Sequence, residues 1–490
     1  MGTFRYTTEL PHPRADVFAW FARPGALVRL NPPFAGSTRR EPSNGLAVGS
    51  TAALGIGAPG ALGMWLGSTA SLAAKVLGVP ATLRPELVWH ARHTRLAPGE
   101  GFTDVMESGP LARWEHTHTF RDNGSGGTVM EDSVEYRLLP SSPLLNVPEG
   151  IAERALEREL ERIFAYRERQ LLDDLQFHAA HTGPAKTIAV SGASGLIGRQ
   201  LCALLAGGGH RVLRLVRRQV RGVGEIFWDP SAGALDPEDL RGCDAVVNLA
   251  GHTIGGRFTD KTKELIRSSR LAGTSLLAGA LAGLASDGVP RTLVSASGVG
   301  YYGASPHPGD PNPRPLTEDS RAGHDFLAQV CHDWENACIP ARSAGVRVAN
   351  VRTGLVLTPA GGMLQQLLPL YLAGVGGRLG KSEWQSWISA DDIAGIYAHA
   401  VLDDGVAGPV NGVGPAPVTA ADFARTLGTV LHRPAAVPVP AFGPRLLLGT
   451  EGARELARAS QRASSAKIEA AGYSFRHRAL EQALRHVLGR

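Results

Sequence analysis

The stretch Thr187-Ile-Ala-Val-Ser-Gly-Ala-Ser-Gly-Leu-Ile-Gly-Arg199 limits what this chain can fold into more than any other. Ile188, Ala189 and Val190 read as a buried strand, and Leu201, Leu204 and Leu205 share one face of the helix that follows. Between them Gly192, Gly195 and Gly198 set a GxxGxxG spacing. A strand running into such a turn bends tightly, lets backbone approach a pyrophosphate, and aims the free N–H groups of a helix start at the anion. Ser194, Leu196 and Ile197 belong to the same candidate cradle.

The next strand, Arg211-Val-Leu-Arg-Leu-Val-Arg217, ends where a dinucleotide fold meets the adenosine ribose. An acid there suits a 2′-hydroxyl, whereas arginine suits a 2′-phosphate. Arg217 and Arg218 occupy that place, and no Asp or Glu lies between Gly198 and Gly224, so NADP(H) is expected over NAD. The alternative for both arginines is an exposed loop charge pair. A third strand, Asp244-Ala-Val-Val, ends in Asn248, Leu249, Ala250 and Gly251, small enough to let backbone reach the adenosine side of the cofactor.

At 490 residues the chain exceeds one ordinary core, and two or three domains are expected. The net charge of +5 comes from scattered, mostly Arg residues with no dense basic run, which argues against nucleic-acid binding. The four cysteines form no metal-ligand spacing and suit reduced thiols of a cytoplasmic protein. The apolar stretch 52–82 is interrupted by Lys75, Gly and Pro, so no membrane span is expected.

Residues 1–175 carry no dinucleotide signature. Pro13 to Phe21 reads as a short amphipathic helix, and Leu87–His93, Arg113–Phe120 and Thr128–Tyr136 alternate with period two, as antiparallel strands do. A long helix is expected from about Pro148 to Leu175, with Leu156, Leu160 and Phe164 inward. His116 and His118 point to one side of their strand, as metal ligands do. No carboxylate is evident beside them, so packed histidines are the plainer reading and no metal is expected. This order of elements, with Arg23 to Pro33, Gly101-Phe-Thr-Asp104 and Trp114-Glu-His-Thr-His118, resembles the START-like (polyketide-cyclase-like, SRPBCC) superfamily. The resemblance implies a helix-gripped cavity and a lipophilic ligand.

Residues 187–490 resemble the extended short-chain dehydrogenase/reductases, the NAD-dependent epimerase/dehydratases. More narrowly they resemble a sugar-nucleotide epimerase-like subfamily with a C-terminal domain of unknown function (DUF1731). The phrases that carry this include Gly192-Ala-Ser-Gly-Leu-Ile-Gly198, Asn248-Leu-Ala-Gly251, Ser295-Ala-Ser-Gly-Val-Gly-Tyr-Tyr-Gly303 and Arg352-Thr-Gly-Leu-Val-Leu357. The resemblance implies an NADP(H)-binding protein, with Arg270 and Arg352 as further cofactor or active-site contacts.

The expected fold class is an α/β Rossmann-type doubly wound parallel sheet with a small C-terminal substrate domain, preceded by an α+β helix-grip domain. The expected boundaries are 1–175 for the helix-grip domain, 176–185 for a linker, 186–400 for the Rossmann domain and 401–490 for the C-terminal domain.

The wider superfamily moves its proton through Tyr-x-x-x-Lys and a nearby Ser or Thr. No Tyr-x-x-x-Lys exists in this chain. If Glu335 marks the position that follows the Lys, Leu327 and Cys331 stand where the dyad would be. Ser297 with Tyr301 or Tyr302 is the expected substitute, with His324, Asp325 and His332 as further candidates and Arg378 as a contact for an anionic substrate. Two functions stay open: an oxidoreductase or epimerase acting on a carbonyl or sugar-type small molecule, and a non-catalytic NADP(H)-sensing protein.

Overall fold

The computed structural model describes residues 1–57, 69, 86–139, 149–310, 312–380, 382–435 and 442–490. Most of the apolar stretch 52–82 and the helix start expected at Pro148 lie outside the described residues. The chain divides into two compact units, one of Met1–Thr182, Ala206–Gly209 and His486–Arg490, the other of Gly183–Leu205 and His210–Arg485. Among the described residues no helix is long and apolar enough to cross a membrane.

The first unit begins with β1 (Gly2–Leu10), α1 (Arg14–Ala22), α2 (Ala26–Leu30), β2 (Gly36–Arg40), β3 (Ser43–Leu46) and β4 (Thr51–Ile56). It continues with β5 (Leu87–Ala97), β6 (Gly101–Ser108), β7 (Arg113–Asp122), β8 (Thr128–Arg137) and α3 (Glu149–Ala180). Seven strands form an antiparallel sheet in the order β1-β8-β7-β6-β5-β4-β2, with β3 outside it. The period-two pattern sets which face is buried: along β8, Thr128, Met130, Asp132, Val134 and Tyr136 turn inward. Along α3, Leu160, Phe164, Leu171 and Leu175 recur at helical spacing and cover that face. The helix runs to Ala180, five residues into the expected linker, because nothing before Gly183-Pro184 breaks it.

In the second unit β9 (Thr187–Ser191), α4 (Leu196–Gly207), β10 (Arg211–Val216), β11 (Glu225–Phe227) and β12 (Ala245–Asn248) follow one another. Next come α5 (Asp260–Leu284), β13 (Thr292–Gly298), α6 (Phe326–Asn336), β14 (Arg347–Thr353), β15 (Leu355–Leu357) and α7 (Gly362–Leu372). The remainder includes β16 (Trp384–Gln385), β17 (Trp387–Ser389), α8 (Ala390–Leu402), β18 (Gly408–Gly412), β19 (Val418–Thr419) and α9 (Ala420–Leu431). The main sheet is parallel throughout, in the order β11-β10-β9-β12-β13-β14-β18. The order reverses between β9 and β12, which leaves a crevice beyond their carboxyl ends. Strand β18 completes this sheet, so the parallel layer extends past the boundary expected at 400. Its central strands β9, β12, β13 and β14 are buried on both faces, as their Val- and Ala-rich runs require.

Helix ends are fixed by side chains. The Thr259 hydroxyl accepts from the Thr262 N–H at the start of α5, and Ser389 does the same for Asp392 in α8. Asp392 is itself buried, accepting from Ser389 Oγ at 2.8 Å and from the Arg476 N–H at 2.8 Å.

Candidate cofactor and proton-handling site

The crevice at the end of β9 is shaped by missing side chains. Gly192 has φ +66°, and a Cβ there would lie 2.8 Å from the Leu249 carbonyl. At Gly198 it would lie 2.2 Å from the Gly192 carbonyl oxygen. The turn closes through the Gly195 N–H, which donates to Gly192 O at 2.9 Å. The opening N–H groups of α4, at Leu196 and Ile197, have no acceptor within the helix and sit at its positive end. Ser194 and Gly195 are exposed beside them. The residues present fit a pyrophosphate, because each feature is backbone held open to an anion.

A buried chain of hydrogen bonds ties this turn to the loop after β12. Ser191 and Asn248 face each other in register at adjacent strand ends. The Ser191 hydroxyl donates to Asn248 Oδ1 at 2.6 Å and accepts from the N–H groups of Leu249 (3.1 Å) and Ala250 (3.2 Å). Asn248 Nδ2 and Trp334 Nε1 both donate to Thr274 Oγ1 at 2.8 Å. Asn248 therefore acts here as a strut rather than an open ligand. Ser191, Thr274 and Trp334 carry no motif and escaped sequence reading.

The two arginines after β10 differ. Arg218 donates to the Glu225 carboxylate and to Gln219 O. Those bonds, with one from the Arg221 N–H, pull the Glu225 carboxyl down to about 2. The acid missing before Gly224 thus stands one residue beyond it and occupies Arg218. Arg217 is exposed and makes no hydrogen bond or ion pair among the described residues. Arg270 lies over the loop after β12. It donates to His252 O and Ile266 O at 3.0 Å, and a Cβ at Gly251 would lie 3.2 Å from its guanidinium carbon.

Beyond β13 the structure assembles a network around Arg352. Its guanidinium is 2% exposed and forks onto Glu335, with Nε to Oε1 at 2.8 Å and Nη2 to Oε2 at 2.9 Å. Its Nη1 donates to the Tyr302 hydroxyl at 3.1 Å and to Glu318 O at 3.0 Å. The Ser297 hydroxyl donates to the same Glu335 carboxylate at 2.7 Å, and Tyr302 donates to Asn411 Oδ1 at 2.6 Å. Tyr301 lays its ring 3.4 Å from the Arg352 guanidinium carbon. Burial opposes the Arg352 cation, yet the Glu335 fork holds its pKa above the usual arginine value.

Two expectations change here. Arg352 spends these donors on its own chain rather than on an incoming molecule. Tyr302 is buried, and burial pushes its phenol up to about 12 while its hydroxyl is engaged by Asn411 and Arg352. Ser297 and the half-buried Tyr301 remain beside the network. Leu327 and Cys331 fall one turn apart on α6; both face Gly300, just beyond β13, and Cys331 also faces Gly298. Burial, then Glu335, pushes the Cys331 thiol up to about 11.

The other candidates have local tasks. Asp325 caps α6, accepting from Ala328 N–H at 3.0 Å and from Ala304 N–H at 2.6 Å. His324 and His332 are exposed. The buried Glu455 carboxylate, which sequence reading missed, accepts from Leu327 N–H at 3.0 Å. Arg378 lines a separate open cavity of about 750 Å³ with Arg425, His432 and Arg433.

In the first unit two carboxylates converge on His116 and His118, contrary to the reading from spacing alone. Asp132 Oδ1 is 2.9 Å from His116 Nε2 and 2.6 Å from His118 Nδ1, and Asp104 Oδ1 is 3.7 Å from His116 Nδ1.

Sheet order, glycine turn and the loop beneath it define a dinucleotide-fold protein. The profile of the NAD dependent epimerase/dehydratase family matches residues 188–411, and that of DUF1731 matches 439–487. The chain belongs to the NAD dependent epimerase/dehydratase family. Epimerase family protein Mb2239 of Mycobacterium bovis is 41% identical over 305 residues, 62% of this chain and 98% of that protein. The crystal structure of the nucleoside-diphosphate sugar epimerase from Corynebacterium glutamicum is 35% identical, with a TM-score of 0.75, and covers 99% of this chain and 90% of that one. The human epimerase family protein SDR39U1, solved with NADPH, is 31% identical, with a TM-score of 0.54, over 62% of this chain and 99% of that one.

Proposed function

We propose that this chain is an NADP(H)-binding oxidoreductase or epimerase-like protein that acts on a carbonyl or sugar-type substrate. The observation that carries the reading is the bare turn at Gly192, Gly195 and Gly198, backed by the α4 N-terminus and with the exposed Arg217, whose charge also acts on Asp229, beyond β10. NADPH in the human relative supports it. The N–H groups around Ser194, Leu196 and Ile197 hold the pyrophosphate, and Arg217 holds the 2′-phosphate. Leu249, Ala250 and Gly251, under Arg270, face the adenosine side. Bound NADP(H) supplies hydride chemistry at its nicotinamide ring. Ser297, held by Glu335, and Tyr301 over Arg352 orient a substrate oxygen and exchange its proton.

The first unit, on this reading, is a START-like helix-grip domain with a lipophilic ligand. Its antiparallel sheet covered by one long helix supports that assignment.

A second reading, cofactor sensing without turnover, is favoured by Leu327 and Cys331 at the dyad positions and by the committed Tyr302. NADPH deuterated at C4 with a panel of ketones, and NADP+ with a panel of sugar nucleotides, separate the two. Label appearing in a ketone's product carbon, or a new epimer or NADPH formed from a sugar nucleotide, supports the enzyme; tight NADPH binding with no transfer in either direction supports the sensor.

A further inference from the structure

We propose that Asp104, His116 and His118 form a binding site for one divalent metal ion of the zinc type, with Asp132 holding the two imidazoles in ligating position. The residues come from three adjacent strands. Register pairs Asp104 of β6 with His116 of β7, and His118 with Asp132 of β8. Residues two apart on a strand share a face, so all four side chains meet on the buried side of the sheet.

The argument rests on which ring nitrogen each carboxylate meets. Asp132 Oδ1 lies between His116 Nε2 (2.9 Å) and His118 Nδ1 (2.6 Å, though out of line for a straight hydrogen bond). The hydrogen bond from His116 Nε2 to Asp132 leaves His116 Nδ1 with a bare lone pair. His118 Nδ1 makes no hydrogen bond, but a carboxylate oxygen 2.6 Å away is best met by a proton on that nitrogen, the tautomer that bares Nε2. Those two atoms face Asp104 Oδ1 at 3.7 Å and 4.0 Å. Three acceptors thus converge with no donor among them, and the three ligand atoms lie within 4.8 Å of one another. Donors at about 2.1 Å from a tetrahedral ion stand about 3.4 Å apart, so Asp104 must close on the two nitrogens from 3.7 Å and 4.0 Å and the imidazoles must draw together from within 4.8 Å as the ion binds.

Asp132 then plays the part of the outer carboxylate that fixes the tautomer of a ligating histidine. His93, opposite Asp104 in β5, and Arg167 of α3 complete the surroundings. The Arg167 charge acts on both carboxylates and offsets one of their two negative charges, leaving one for a cation. Two nitrogens and one oxygen suit zinc or cobalt better than calcium or magnesium. Three protein donors leave a further position for water or a ligand oxygen. The Asp104 side chain, 19% exposed, marks the open side.

The test uses the full chain, stripped with a chelator, desalted and titrated with Co²⁺. The expected result is one equivalent of Co²⁺ with visible bands of a four- or five-coordinate site, displaced one for one by Zn²⁺. His118→Ala abolishes the bands, and Asp132→Asn weakens binding about 10–100-fold. Should the buried variants fail to fold, Asp104→Asn, at the open edge, still decides: it weakens binding at least about tenfold while the circular dichroism spectrum stays unchanged. Absence of bands in the wild type, with a proton shared in the cluster instead, overturns the proposal. So do bands of equal strength in Asp104→Asn.

Discussion

Replacing Arg352 by Met probes the network that fills the place of the usual dyad. The residue is 2% exposed and its partner Glu335 13%. Removing one member of a buried, forked pair strands the other charge and costs about 3–5 kcal/mol. Glu335 keeps only the Ser297 hydroxyl as a charge-stabilising partner in this network, and Tyr301 loses the cation against its ring. Spread over a unit of this size, that loss lowers its melting temperature by roughly 5–8 °C. Scanning calorimetry is the assay, because it separates the transitions of two units. Glu335→Gln destabilises for the mirror reason, leaving the guanidinium facing a neutral amide. The double variant is less destabilised than the sum of the singles by about 2–3 kcal/mol, the coupling expected of direct partners. An Arg352→Met protein within about 1 kcal/mol of wild type, or strictly additive variants, would refute the network as the support of this site.

Gly198→Ala puts a methyl group 2.2 Å from the Gly192 carbonyl oxygen, so the turn must open. A stability loss of about 1–3 kcal/mol is expected, with at least about a tenfold loss of NADPH affinity, about 1.4 kcal/mol. Wild-type affinity in this variant would remove the turn from the binding site. The thiols of Cys243 and Cys331, both pushed up to about 11 chiefly by burial, react slowly with a disulfide reagent at pH 8. Their thiolate fraction there is roughly a thousandth, and it rises with pH toward 11. All four cysteines react once the chain is unfolded, and rapid labelling of the native protein would contradict their burial.

Local sequence patterns carried the reading of β9, its turn and α4, since strand, glycine spacing and helix face are contiguous. The alternation in β7 and β8 likewise put His116 and His118 on one face. What stayed hidden depends on register between distant segments. Asp104 and Asp132 reach the two histidines only through strand pairing, which no spacing encodes. Glu335 meets Arg352 because a helix and the next strand pack together. Arg218 was indistinguishable from Arg217 until β11 brought Glu225 beside it. The linker began later than composition suggested because His178 to His181 lacks a breaker, and α3 continues until Gly183-Pro184 approaches.

The central claim, an NADP(H) site read by Arg217, is tested most directly by titrating NADPH and NADH into wild-type protein and Arg217→Ala, followed by nicotinamide fluorescence. A charge-assisted contact to the 2′-phosphate contributes about 1.5–3 kcal/mol. Wild type should therefore bind NADPH about tenfold to a hundredfold more tightly than NADH, and the variant should bind the two alike. Equal binding of both in the wild type, or an NADPH preference that survives in Arg217→Ala, would contradict the assignment.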